Sequence, residues 1–264
     1  MENKNRGHGF IAPEITPDNH IFGVQRMEDP IQDNGDWRAY LPPDERQARL
    51  HFDTYGCTIY NTINPIEILD RKLFNEQSEY SERDVYIGTG TRPPGNNPHV
   101  IGEWIRKNGL NPESALPFTD LLQNLDEYAS PNPRTQNLID GGKQWLTRKD
   151  FLHDWVFTGG IPQEKNDRLK EAVRRSPLGV SVCAWKELNG VYVKDTGEPD
   201  NHWTCLVAYE NDHPIIFDSY PPFVKKLDKN YDFGFAKRYT ITQKLLPSKK
   251  WCFSIGDYFK EIIK

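Results

Sequence analysis

Apolar residues follow two different rhythms along this chain. Behind Cys57, residues Ile59, Ile63, Ile66, Ile68 and Leu69 recur at the spacing of one helix face. Ile101, Trp104 and Ile105 do the same for a second helix over Val100–Asn108, with Gly109 as its stop. Pro65 lies inside the first pattern and predicts a kink or a division there, because the carbonyl of Asn61 loses its backbone donor. From about residue 166 the rhythm changes. A short helix over Asp167–Arg175, ended by Ser176-Pro177, leads into strand-like runs at Val180–Trp185, Val191–Val193, Trp203–Tyr209, Pro214–Tyr220 and Arg238–Thr242. Asn189-Gly190 and Asn211-Asp212 read as hairpin connections.

The rest of the pattern is irregular. Residues 1–45 read as an extended strap, with prolines at 13, 17, 30, 42 and 43 and apolar contacts that keep no helical period. Such a strap either packs along the body or acts as a short inhibitory segment. Gly88 to Pro98 forms a rigid, glycine-rich loop, and an irregular aromatic stretch surrounds Phe151, Trp155, Val156 and Phe157. The tail from Ile255 to Lys264 reads as a closing helix. Helices first and antiparallel strands afterwards predict an α+β fold of two lobes meeting at a cleft. Residues 46–165 supply the mainly helical lobe and residues 166–264 the mainly β lobe.

Composition narrows the possible functions. The net charge of −5 is spread over both signs with no basic run, which argues against a nucleic-acid partner. No apolar run approaches the roughly 20 residues that cross a bilayer, and the polar start is no signal peptide. A cytoplasmic or virion-associated location is therefore expected. The four cysteines, at 57, 183, 205 and 252, show no metal-ligand spacing, so no metal or cofactor is expected and free thiols are.

The chemistry centres on Phe52-Asp53-Thr54-Tyr55-Gly56-Cys57-Thr58-Ile59-Tyr60-Asn61, where a cysteine stands at a helix start. Unpaired backbone N–H groups and the positive end of the helix dipole favour thiolate there, and the thiolate is the nucleophile. A lone cysteine is more often a small buried apolar residue. Its claim is strengthened by His202, which begins a strand, and Asp218, which ends the next. A short turn near Asn211 would bring those ends together, so that the carboxylate orients the imidazole and leaves its other nitrogen for a thiol.

In order and local pattern the chain resembles the papain-like cysteine peptidases, including divergent members from phage and metagenomic sequences. Cys57 opens a helix; Val100–Asn108 with Gly109-Leu110 and Leu116-Pro117-Phe118 resembles the second left-lobe helix; Asn201-His202 followed by Cys205–Tyr209 resembles the catalytic histidine strand; Phe217-Asp218-Ser219-Tyr220 stands where the family carries Asn-Ser-Trp. The resemblance covers roughly residues 45–242. It implies a two-lobe fold with Cys57 as nucleophile, His202 as general base and then acid, and Asp218 as orienting group, acting on a peptide or protein substrate. Three departures stand out. Asp218 replaces asparagine. Trp203 follows the histidine where a small residue is usual, implying a narrowed specificity pocket. His51 occupies the position six before the cysteine, where the family places its oxyanion glutamine, with Gln47 nearby but out of register. Gly95 and Asn96 loosely match the glycine-rich wall that binds substrate backbone. Two other readings share the fold: an amidase or transferase, and an inactive binding or virion protein.

Overall fold

The computed structural model describes residues 9–15, 31–43, 45–195 and 197–244. The expected closing helix at 255–264 lies outside these. Strand β1 (Gly9–Phe10) is followed by α1 (Cys57–Phe74), α2 (Glu82–Thr89), β2 (Gly95–Asn96), α3 (Pro98–Asn108), α4 (Leu125–Tyr128) and α5 (Gln136–Arg148). Then come β3 (Lys149–Phe157), α6 (Pro162–Val173), β4 (Leu178–Val182), β5 (Lys186–Leu188), β6 (Val191–Val193), β7 (His202–Glu210), β8 (His213–Phe217), β9 (Val224–Lys226) and β10 (Ala236–Gln243).

The main sheet runs in the order β2-β1-β7-β4-β10-β3, with β8 and β9 continuing beyond β7, while β5 and β6 form a separate hairpin. Pairing is antiparallel except between β1 and β2, which run parallel. Both two-residue hairpins are as expected. Asn189-Gly190 and Asn211-Asp212 have positive φ at both positions, the condition for a type I′ turn.

Helix α1 passes through the middle of the molecule. Every residue from Cys57 to Asp70 is buried, and the helix packs against β7 and β10. Pro65 does not divide it. Interior proline costs about 3 kcal/mol, whereas burying each of Ile59, Ile63, Ile66, Ile68 and Leu69 returns roughly 1.5–3 kcal/mol, so packing prevails. Its buried polar groups are bonded where they matter most: Asp70 accepts from Lys149 Nζ (2.5 Å) and Tyr80 Oη (2.6 Å), and Glu67 accepts from the Tyr80 N–H (2.7 Å).

Two parts of the fold differ from the sequence reading. The aromatic stretch near Phe151 is a nine-residue strand, β3, that completes the sheet from within the mainly helical part of the chain. The strap contributes β1 to the same sheet, between β2 and β7. No helix among the described residues is long and apolar enough to cross a membrane.

Candidate active site

Cys57 is the first residue of α1. Its approach is set by a compact turn: Tyr55 sits in the left-handed region at φ 56°, its N–H donates to Asp53 Oδ1 (2.9 Å), and the Gly56 N–H donates to Thr54 Oγ1 (3.2 Å). His202 begins β7 and Asp218 follows β8. The two-residue turn between those strands brings their outer ends together, as expected from the sequence. His202 Nε2 lies 2.6 Å from Asp218 Oδ1, while the Cys57 thiol is in hydrogen-bonding contact with the imidazole. None of the three exposes any surface.

Electrostatics favour a charged imidazole. Burial disfavours the imidazolium, but the Asp218 carboxylate and the Cys57 sulfur outweigh it and raise the His202 pKa to about 10. Burial likewise opposes ionisation of Asp218, and is outweighed by His202 and Lys225, which hold its carboxyl below the usual range. Lys225 went unnoticed in the sequence. It is buried on β9, and its Nζ donates to Asp218 Oδ2 (2.5 Å) and to the carbonyls of Tyr220 and Pro222 (2.7 Å each). Two rings flank the imidazole: Tyr220 at 5.4 Å between centroids and Trp185 at 5.6 Å, edge-on.

The structure sets the oxyanion candidate His51 and the neighbouring Gln47 in different surroundings. His51 is exposed on a bend. Residues 48–53 form a small excursion closed by the Ala48–Asp53 bridge and by Thr54 N–H donating to the Gln47 carbonyl (3.1 Å). That excursion returns the chain to Gln47, which is buried beside the site. Gln47 Nε2 donates to Tyr220 Oη (2.6 Å) and Asp53 Oδ1 (3.1 Å), and Gln47 Oε1 accepts from Ser219 Oγ (2.7 Å).

Gly95, Asn96 and Trp203 all reach the cleft, and there they meet the strap. Gly9 pairs with Gly95 on one side and His202 on the other; the Phe10 N–H donates to the Asn201 carbonyl (3.3 Å) and the Ile11 N–H to the Asn96 carbonyl (2.9 Å). Phe10 stacks on Trp203 (5.5 Å, 11° between planes) and, with Cys57 and Trp155, forms one buried cluster against which Phe235 packs. The only described carboxylate group with metal-ligand proximity, Glu45, Glu67 and Glu79, includes a residue nearly three turns along α1 from the thiol.

The sequence matches no protein-family model and no curated protein. Solved structures do match. The digestive procathepsin L 3 of Tenebrio molitor larval midgut aligns with a TM-score of 0.60 at 16% identity over 89% of this chain and 76% of its own. Xylellain, a cysteine protease from Xylella fastidiosa, aligns with a TM-score of 0.60 at 15% identity over 92% of this chain and 97% of its own. The proform of the Amb a 11 cysteine protease of ragweed pollen aligns with a TM-score of 0.56 at 15% identity over 83% and 68%. The chain has the papain-like fold.

Proposed function

We propose that this chain is a cysteine peptidase that cuts peptide bonds through a thioester intermediate. The observation that carries the reading is the His202 imidazole, buried between the Asp218 carboxylate and a thiol at the first residue of a helix. Cys57 attacks the scissile carbonyl as thiolate. His202 then passes its proton to the departing amine, and water releases the acyl group with His202 acting as base. Asp218 keeps the ring in one tautomer and orientation. The Cys57 backbone N–H at the helix start faces the developing oxyanion, and Gln47, in place of His51, joins it by giving up one of the two bonds, to Tyr220 Oη and Asp53 Oδ1, that occupy its amide. Neither step needs a cofactor.

A second reading rests on one specific observation. The strap fills the cleft and leaves Cys57 without exposed surface, as a papain-fold binding or structural protein would. Hydrolysis of a quenched peptide library by the full chain and by Cys57→Ala separates the two. The peptidase reading expects turnover that vanishes in Cys57→Ala and a thioester adduct trapped on Cys57. No turnover after strap displacement, with equal signals from both proteins, would favour the binding role. An amidase or transferase would show the adduct but different products.

A further inference from the structure

Four carboxyl groups converge beside the middle of α1, away from the thiol. Glu67 projects from α1, Glu82 is the first residue of α2, Glu79 lies just ahead of it, and Glu45 lies in the segment that leads to Gln47. One oxygen each from Glu45, Glu67 and Glu79 lies within 4.8 Å of the others. The Glu82 carboxyl is in hydrogen-bonding contact with that of Glu45. Glu67 has no exposed surface and Glu82 only 5%.

This convergence lacks donors. Glu67 Oε1 accepts from the Tyr80 N–H (2.7 Å), but Glu67 Oε2, Glu82 Oε1 and Glu45 Oε2 are buried and meet no hydrogen-bond donor among the described residues. The guanidinium of Arg71 bonds Glu79 (2.9 Å) and the Leu41 carbonyl (2.5 Å), not the other three. Carboxylates buried this way are costly unless a cation shares their charge. In metal-free buffer protons are the remedy, since burial and mutual repulsion raise Glu45, Glu67 and Glu82 well above the ordinary range. Protons do not account for the convergence itself, because apolar side chains of the same size would fill the space without that cost.

Donor chemistry selects the cation. Every ligand is a carboxylate oxygen, with no nitrogen or sulfur, which suits a hard ion rather than zinc or copper. Calcium holds its oxygens at about 2.3–2.6 Å, so ligands on opposite sides of it stand about 5 Å apart. A group already gathered within 4.8 Å needs little adjustment to surround it, whereas magnesium draws its ligands closer. The Glu79 side chain, 40% exposed, gives the ion a way in and a side open to water ligands. We infer that Glu45, Glu67, Glu79 and Glu82 form a calcium site that clamps α1, the start of α2 and the segment carrying Gln47.

The test is calcium binding by the full chain, stripped of metal with EDTA and held at neutral pH and constant ionic strength. Calcium chloride at about 1 mM, saturating for a site of about 10 µM, should raise the melting temperature by about 5 °C or more. Magnesium at the same concentration should do much less. Terbium, which occupies calcium sites, should luminesce through Tyr80, whose N–H holds Glu67, and calcium should quench that emission. Glu67→Gln and Glu82→Gln keep the shape and remove the charge, so each should fold without metal yet lose at least about tenfold in calcium affinity. Glu164→Gln, exposed on α6, should change nothing. Should neither buried variant fold, the half-buried Glu45→Gln takes their place. A melting temperature that calcium leaves unmoved overturns the proposal and leaves protons as the occupants. So does a calcium affinity unchanged in the glutamine variants, which puts the ion elsewhere. Peptide hydrolysis enters none of these readouts, so the outcome is independent of the peptidase reading.

Discussion

Lys225 donates to Asp218 Oδ2 at 2.5 Å while Asp218 Oδ1 holds His202, so one carboxylate is shared between a buried ammonium and the imidazole. This gives a physical reason for aspartate where papain-like enzymes carry asparagine. An asparagine here would accept from His202 through its oxygen and turn its NH₂ toward another donor. Asp218→Asn should therefore destabilise the fold by about 3–5 kcal/mol, the usual cost of stranding one partner of a buried ion pair. Asp218→Asn combined with Lys225→Met should recover much of that loss. Urea midpoints of the two single variants and the double variant give the coupling energy. Additive losses would show that the pair is not coupled.

The same double variant probes the imidazole. With the carboxylate gone, Asp218 no longer holds the proton on His202, whose pKa now stands near 10. The thiolate–imidazolium pair should then break at lower pH, moving the alkaline limb of kcat/KM for a peptide substrate downward. The measurement is a pH profile in the strap-displaced background. An unmoved limb would assign it to some other group.

Gln47 and His51 make opposite predictions. Removing an oxyanion donor lowers turnover by about 10²–10³. Gln47→Ala should fall in that range, while His51→Ala should stay within about twofold, as expected of an exposed loop residue. Because Gln47 also braces Asp53 and Tyr220, the readout is kcat at saturating peptide, with the melting temperature recorded alongside. Equal losses for the two variants would remove the oxyanion role from Gln47.

Four glutamates, Glu67 and Glu82 buried and Glu45 and Glu113 half-buried, set an unusual stability profile. Burial, and then neighbouring carboxylates, push Glu45, Glu67 and Glu82 well above their ordinary range, and burial raises Glu113 from 4.5 to about 7. Each therefore keeps its proton in the folded protein after the unfolded chain has lost it. Their contribution is complete below about pH 4.5, the ordinary value, and is lost as pH rises through the raised values. For Glu113 the loss spans roughly pH 4.5 to 7. Stability measured by urea unfolding should decline across that window, and Glu113→Gln should flatten it. A curve that rises with pH there would contradict the assignment.

What the sequence disclosed depended on whether polarity marked burial. Around Cys57 and at the two hairpins it did, since apolar spacing and turn residues agreed with the fold. In β3 it did not. Its inward side chains are Lys149, Phe151, His153, Trp155 and Phe157, while Leu152 faces out with 61% of its surface exposed. A period of two was present, but with charge on the wrong face. In α2 the first three residues, Glu82, Arg83 and Asp84, are buried and invert the usual reading. A capping signature was available there nonetheless, in Ser81 accepting from the Asp84 N–H (3.1 Å). The Cys57–His202–Asp218 arrangement followed from the order of the elements. Lys225 and the docking of Phe10 left no local trace, because each is defined only by partners distant in the chain.

The strand pairing of Gly9 with His202 also sets an order of assembly. β1 leaves the ribosome first, yet both strands that receive it, β2 and β7, are made later, and β7 belongs to the last part of the described chain. Contacts that join such distant segments form late, because the loop between them must close before they are rewarded. Pairing of the thiol with its histidine does not require the segment that covers them. A molecule in which β7 has paired but β1 has not would have the slot between β2 and β7 open, and a nearby peptide would there compete with Gly9-Phe10.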